Sequence, residues 1–234
     1  MDLSLSTVGV YLRSWSLSVQ CPALRAIEQD EKRVKQWKEA EYPAIALRAK
    51  KENAIIYWAD ETAVKHDTNW VTGYSPRGQT PVLRCHEGRW KTATMVSAIS
   101  NQGLLRFKIQ DKSMDQFSFI EFLESMIEDE PKKIFLIVDN LKAHKSKAVN
   151  AWAEAHRERI ELFFLPPYSP ELNPDEYVNR ALKTDIRSRA PKAIHELKVR
   201  TEQFMKKWRA VLAVSNEFLK LSKFATRQFV NYFY

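Results

Sequence analysis

Apolar side chains follow two rhythms along this chain. Three runs are apolar almost throughout: AIIYWAD at 54–60, IFLIVD at 134–139 and IELFFL at 160–165. Short unbroken runs of this kind predict buried strands. TPVLRCH (Thr80–His86), TATMVSAIS (Thr92–Ser100) and LLRFKIQ (Leu104–Gln110) read as further strands. The last two are joined by Asn101-Gln102-Gly103, a hairpin signal.

Between and around these runs the rhythm is helical. Near the start, Ser6 or Thr7 can cap a helix carrying Val8, Tyr11, Leu12 and Trp15 on one face, with Pro22 beyond it. Residues 23–53 are charged and helical, broken at Tyr42-Pro43, with too few large apolar side chains for a core of their own. They read as a connector into the main domain. Ser113 and Gln116 form a capping box for a helix with Phe117, Ile120, Leu123 and Ile127 on one face and Pro131 past its end. Another helix spans roughly Ser146–His156. PPYSPELNP is a turn-rich loop, and a helix opens at Asn173. The tail carries Ile194, Leu197, Thr201, Phe204, Met205, Trp208, Val211 and Leu212 at helical spacing. A meander of strands, then helix and strand in alternation, predicts an α/β fold: a mixed sheet flanked by helices. No internal repeat or low-complexity segment is visible.

Composition narrows the class. A chain of 234 residues with 44% hydrophobic and 28% charged side chains is an ordinary globular sequence. Two distant cysteines, Cys21 and Cys85, make neither a metal knuckle nor a disulfide framework, which fits a reducing compartment. No apolar run approaches the ~18–20 residues that span a bilayer, and the start lacks the features of a signal peptide. These features predict a soluble intracellular protein with no membrane partner.

Charge changes the picture once it is located. The net charge is +8, yet Tyr177–Tyr234 alone holds 13 Lys and Arg against 4 Asp and Glu. The first 176 residues are close to neutral, with 24 basic and 25 acidic side chains. A basic last quarter indicates a polyanion partner or a solvated helical surface.

Candidate chemistry lies at the strand ends. Asp60 and Asp139 each close an apolar strand, and ligands of open α/β sheets bind beyond the carboxyl ends. Two such acids on neighbouring strands, with a third nearby, would form an oxygen-rich pocket suited to Mg²⁺. Glu171, Asp175 and Glu176 are candidates for the third. For Glu176 a structural role competes, because Asn173, Pro174 and Glu176 also make a capping box. On a helix, Glu176, Arg180, Lys183 and Arg187 share one stripe, an acid at the head of three cations. DNA laid across an active site would meet such a stripe, and so would plain solvent. His144 either touches a phosphate or starts a helix. Tyr168 and Trp70 read as packing residues.

WADET (58–62), IVDN (137–140) with His144, and LPPYSPELNPDE (165–176) resemble the three catalytic blocks of DDE transposases. The likeness is strongest to the bacterial insertion-sequence branch of the Tc1/mariner superfamily, of the insertion sequence six-thirty type. The 36 residues between Asp139 and Glu176 agree with that branch, and GYSPRGQTPV (73–82) and MVSAIS are similar to its secondary blocks. The likeness runs from about residue 5 to about 190. It implies a ribonuclease-H-like catalytic domain over 54–190, preceded by a helix-turn-helix remnant and linker (1–53) and followed by a basic helical extension (191–234). It implies Asp60, Asp139 and Glu176 as catalytic acids and ligands of two Mg²⁺ ions, with Mn²⁺ as a substitute. Arg180, Lys183, Arg187 and His144 would then contact DNA. The implied activity is cut-and-paste transposition on double-stranded DNA, both transposon ends and target, by a homodimer in the bacterial cytoplasm, associated with the nucleoid. Glu61 and Asn140 match flanking positions without a ligand role; Glu61 should point away from the face that Asp60 serves. Asp175 departs from the family, which usually has an apolar residue there. A second departure is the short N-terminal part, since the family carries a helix-turn-helix module of roughly a hundred residues there. That predicts a split reading frame, a truncated remnant or an isolated catalytic piece. An idle DNA-binding remnant and a related ribonuclease-H-like nuclease or resolvase are the alternatives.

Overall fold

The structure, a computed structural model, describes residues 4–18, 26–65, 92–189 and 193–221, together with Pro76, Gln79 and Pro191. The expected strand at Thr80–His86, the block at 73–82 apart from Pro76 and Gln79, and Trp70, Cys21 and Cys85 lie outside the described residues.

Five strands form one mixed sheet. They are β1 (Ile55–Lys65), β2 (Thr92–Ser100), β3 (Leu105–Gln110), β4 (Ile134–Val138) and β5 (Ile160–Phe164), in spatial order β3-β2-β1-β4-β5. β1, β2 and β3 pair antiparallel, while β1, β4 and β5 pair parallel. The β2–β3 hairpin turns as its sequence predicts. Gly103 takes the positive φ of 74° that the turn needs, and Ser100 Oγ accepts from the Gln102 and Leu104 N–H groups.

Alternation sorts the sheet into two faces. One carries Tyr57, Ala59, Val96, Leu136 and Val138, packed on α4 (Gln116–Asp129) and α5 (Lys147–Ala155). The other carries Ile56, Met95, Ile99, Phe135 and Ile137. It is covered by α3 (Tyr42–Glu52), α6 (Asp175–Arg189) and α7 (Ile194–Leu221). On α7, Leu197, Thr201 and Met205 are buried as the spacing requires, while Val211 is exposed.

Several local expectations shift. Ser4, not Ser6 or Thr7, caps α1 (Leu5–Ser14) by accepting from the Thr7 N–H. All the apolar side chains expected on one face of that helix are at least partly exposed. The chain does not break at Tyr42-Pro43. A single π turn, Trp37–Glu41, links α2 (Glu31–Gln36) to α3, with the Tyr42 N–H reaching back to the Trp37 carbonyl. Pro43 then falls in the first turn of α3, where its missing N–H costs little. Trp37, Ile45 and Ala49 are buried against Ile56, Phe135 and Ile137, so this segment contributes to the main core without building one of its own.

α4 begins at Asp115, whose carboxylate accepts from the Ser118 N–H at 2.8 Å. That replaces the predicted Ser113–Gln116 box, and the buried face turns accordingly to Phe119, Phe122, Leu123 and Met126, leaving Phe117 exposed. Both faces of the N-terminal half of α4 are aromatic, so periodicity had two self-consistent solutions.

Candidate active site

Asp60 lies within β1, not at its end. Parallel pairing with β4 stops at Trp58↔Ile137, whereas β1 continues five residues beyond Asp60 to Lys65 as the antiparallel partner of β2. Asp60 therefore sits level with the carboxyl end of β4, and Asp139 follows directly after Val138 on the neighbouring strand. The apolar run ended at Asp60 although the strand did not, because β1 past that point is half polar.

Each acid is held by different chemistry. Asp60 Oδ2 accepts a hydrogen bond from Asn179 Nδ2 on α6 at 2.7 Å. Burial pushes its carboxyl up to about 7, aided by the charge of Glu176 and, more weakly, of Asp139, while the Asn179 bond opposes the rise. For Asp139, burial also raises the carboxyl. The hydrogen bonds from His144 and from the Leu141 N–H outweigh it, and the net effect is a carboxyl below the usual range. His144 Nδ1 lies 2.8 Å from Asp139 Oδ1. Beside an ionised Asp139 this calls for the tautomer with its proton on Nδ1.

His144, suggested by the sequence as a phosphate contact or a helix start, does not lie at the surface. Its ring is only 2% exposed and packs on Phe119 at 4.2 Å between centroids.

The loop PPYSPELNP positions the third acid. Asn173 is buried and bonds in two directions: Nδ2 donates to the Ala59 carbonyl at 3.1 Å, and Oδ1 accepts from the Asp175 N–H at 3.1 Å. It thus caps α6 and ties that helix to β1 one residue before Asp60. The reciprocal half of the predicted box is not made, since the Asn173 N–H donates to the Pro170 carbonyl at 2.9 Å. Glu176 does not serve that cap, and it lies near enough to Asp60 to raise its carboxyl.

The other candidate acids part ways. Glu171 is exposed and accepts from Gln29 Nε2 at 2.8 Å. Asp175 is fully buried; Ser97 Oγ donates to its Oδ2 at 2.6 Å, and burial lifts its carboxyl well above the ordinary range. Glu61 turns to the opposite face, as strand alternation predicts, and accepts from the Met114 N–H. Asn140 Nδ2 donates to the Leu165 carbonyl at 2.6 Å, joining the ends of β4 and β5. Tyr168 does not pack: it is 59% exposed at a positive φ of 55°.

On α6, Val178, Leu182 and Ile186 are buried. Arg180 is exposed on another side, with Lys183 and Arg187 half-buried along the predicted stripe. The Arg180 guanidinium lies 5.9 Å from the Tyr177 ring centre.

The family model described as a DDE superfamily endonuclease matches residues 55–198, which contain all three acids and the stripe. The chain belongs to the DDE superfamily endonucleases. A winged helix-turn-helix model matches residues 1–41 of this DDE-family chain. No curated protein matches it. Among solved structures, the Mos1 mariner paired end complex with Mn is similar at a TM-score of 0.63 and 15% identity, covering 92% of this chain and 69% of that one. The Mos1 strand transfer complex has a TM-score of 0.60 at 15% identity, covering 92% and 70%. The catalytic domain of Mos1 mariner transposase has a TM-score of 0.53 at 14% identity, covering 85% and 93%. The fold is ribonuclease-H-like.

The donor set of this DDE-family site suits a hard divalent cation. It is made of carboxylate oxygens, and the charges of Glu176 and Asp139 both raise the Asp60 carboxyl, a repulsion that a cation would relieve. Among the described residues, no group of three or more His, Cys, Asp or Glu side chains is gathered tightly enough to hold an ion as it stands. Among the described residues, no helix is long and apolar enough to cross a membrane.

Proposed function

We propose that this chain is a Tc1/mariner-type transposase of the bacterial insertion-sequence branch, cutting DNA at transposon ends and joining them to a target. The observation that carries the reading is the proximity of Asp60, within β1, to Glu176 on α6 and to Asp139 just past β4, close enough for both charges to raise the Asp60 carboxyl. Asp60, Asp139 and Glu176 would hold Mg²⁺, two ions in all, with Mn²⁺ as substitute. A bound divalent cation supplies Lewis-acid polarisation of the scissile phosphate and a more acidic water or 3′-hydroxyl.

The protein's own residues prepare that chemistry. His144 orients Asp139 and keeps it ionised. Asn173 and Asn179 fix α6 against β1, which presents Glu176 to the same mouth. Arg180, Lys183 and Arg187 run away from Glu176 along α6 and would neutralise phosphates of the bound duplex. In this reading 54–190 is the catalytic domain. Residues 1–53 supply helix-turn-helix and linker elements, and 191–234 extend the basic surface. Mos1 has been solved as a paired end complex, and by analogy two copies of this chain would act on paired ends as a homodimer in the bacterial cytoplasm, at the nucleoid.

The test is nicking of supercoiled plasmid carrying the element's ends, with Mg²⁺ or Mn²⁺. The wild-type chain should nick it, and Asp139→Asn should reduce nicking at least 10³-fold with a melting temperature within about 3 °C of wild type. Undiminished nicking by Asp139→Asn would sink the assignment. A second reading, an idle DNA-binding remnant, draws on the acids' not enclosing an ion as they stand. It predicts plasmid binding with no nicking in either metal.

A further inference from the structure

Beneath the acids lies a polar square that metal chemistry does not itself require. Asp175 and Asn179 stand one turn apart on the inward side of α6, and Asp60 and Ser97 are register partners across the β1–β2 ladder. Each helix residue bonds one strand residue: Ser97 Oγ donates to Asp175 Oδ2 at 2.6 Å, and Asn179 Nδ2 donates to Asp60 Oδ2 at 2.7 Å. Ser97, Asp175 and Asn179 are all 0% exposed.

The square is costly as packing. Asp175 Oδ1 and Asn179 Oδ1 are buried without a hydrogen-bond partner. A buried amide that uses its donor and strands its acceptor holds a helix to a sheet less well than an apolar side chain of similar size. Leu182, one turn on, shows that alternative on the same helix, fully buried among apolar neighbours. What the amide does, and leucine cannot, is donate to one defined oxygen of Asp60.

We infer that Asn179 is a positioning residue for metal binding. It clamps Asp60 by Oδ2 and, with the Ser97–Asp175 bond one turn earlier, sets the rotation of α6 that brings Glu176 to the mouth. Partners of this kind behind metal-binding carboxylates are typically worth 10–100-fold in metal affinity. The inference rests on the reading of Asp60 as a metal ligand.

The experiment compares Asn179→Leu and Asn179→Ala in the full 234-residue chain, with Mn²⁺ binding followed by electron paramagnetic resonance alongside thermal melting. A positioning role predicts a 10–100-fold weaker Mn²⁺ affinity in both variants. Their melting temperatures should separate, with the leucine variant level with wild type or above it and the alanine variant below. Mn²⁺ affinity equal to wild type in Asn179→Leu, or affinity that simply follows melting temperature across the two variants, overturns the inference. A wild-type chain that binds no Mn²⁺ overturns the metal reading itself, and the two failures are therefore told apart.

Discussion

Asp60 and Asp139 lie level with one another, within β1 and just past the end of the parallel strand β4, yet the protein treats them in opposite ways. Asp60 lies under α6, and burial together with the neighbouring acids pushes its carboxyl up to about 7. Asp139 is more open, and His144 and the Leu141 N–H hold it below the ordinary range. Near neutral pH, then, Asp139 is a ready anion while Asp60 shares its charge with a proton. On the proposed reading, a divalent cation held by both acids would have to displace that proton from one and nothing from the other. The difference comes from the elements behind each strand. Asp139 is followed by a turn that folds a buried histidine against it, while Asp60 is roofed by a helix bearing an amide and two further acids.

The largest way to break the comparison is to neutralise one member at a time. Asp60→Asn and Asp139→Asn should each abolish metal-dependent nicking, but their effects on the metal-free protein should differ. For Asp60, with a raised native pKa, the folded state binds more protons than the unfolded one between about pH 4 and pH 7. Stability from this group is fully present below about pH 4 and is lost as pH rises towards 7, on the order of 4 kcal/mol in all. For Asp139 the sign reverses: its contribution is present above the ordinary carboxylate range and disappears on acidification below it. Urea unfolding at pH 5 and pH 8 should show wild type weaker at pH 8, with the slope flattened most in Asp60→Asn and only slightly in Asp139→Asn, which removes one of the weaker charges that raise Asp60. Equal slopes in the two variants would show that the acids are not distinguished in this way.

The sequence made one of these environments legible and hid the other. Asp60 and Asp139 could be singled out, because each closes an apolar run and that needs only the strand rhythm, and the PPYSPELNP block pointed to Glu176. The order of helix and strand likewise followed from the two rhythms. Partners from distant segments could not be read locally. Asn179 looks like one more polar residue in the middle of a helix, and it becomes the donor to Asp60 only because Asn173 ties α6 to Ala59. Asp175 read as a misfit within a motif, and its partner Ser97 lies 78 residues away on β2. His144 carried a small signal, a histidine five residues after an acid, but its burial against Phe119 depends on the rotation of α4 that periodicity left ambiguous.

A middle-sized effect sharpens the Asp139 side. His144→Ala removes the donor that keeps Asp139 ionised and opens a cavity beside the buried Phe119 ring. The expected destabilisation is about 2–3 kcal/mol. Asp139 should move up towards the ordinary carboxylate range, read by carboxyl-carbon NMR titration. Asp60 should titrate as before, because its own donors lie on α6. A parallel shift of both acids would mean that His144 acts on Asp60 as well, beyond the charge of Asp139 that Asp60 already feels.

The smallest effects belong to the cationic stripe, where the comparison is between charge outside the site and charge within it. Arg180 is exposed and Lys183 half-buried, so neither is expected to matter to folding; Arg180→Gln or Lys183→Gln should change stability by no more than about 0.5 kcal/mol. Nicking of saturating DNA should survive in both, since neither side chain belongs to the acid cluster. What should change is binding: affinity weaker by less than about tenfold, and a slope of log affinity against log salt shallower by about 0.9 for each phosphate no longer neutralised. The weakening should be similar for unrelated duplexes, because side chains on phosphates orient DNA without reading its bases. An unchanged salt slope in the double variant would return the stripe to an ordinary solvated helix face.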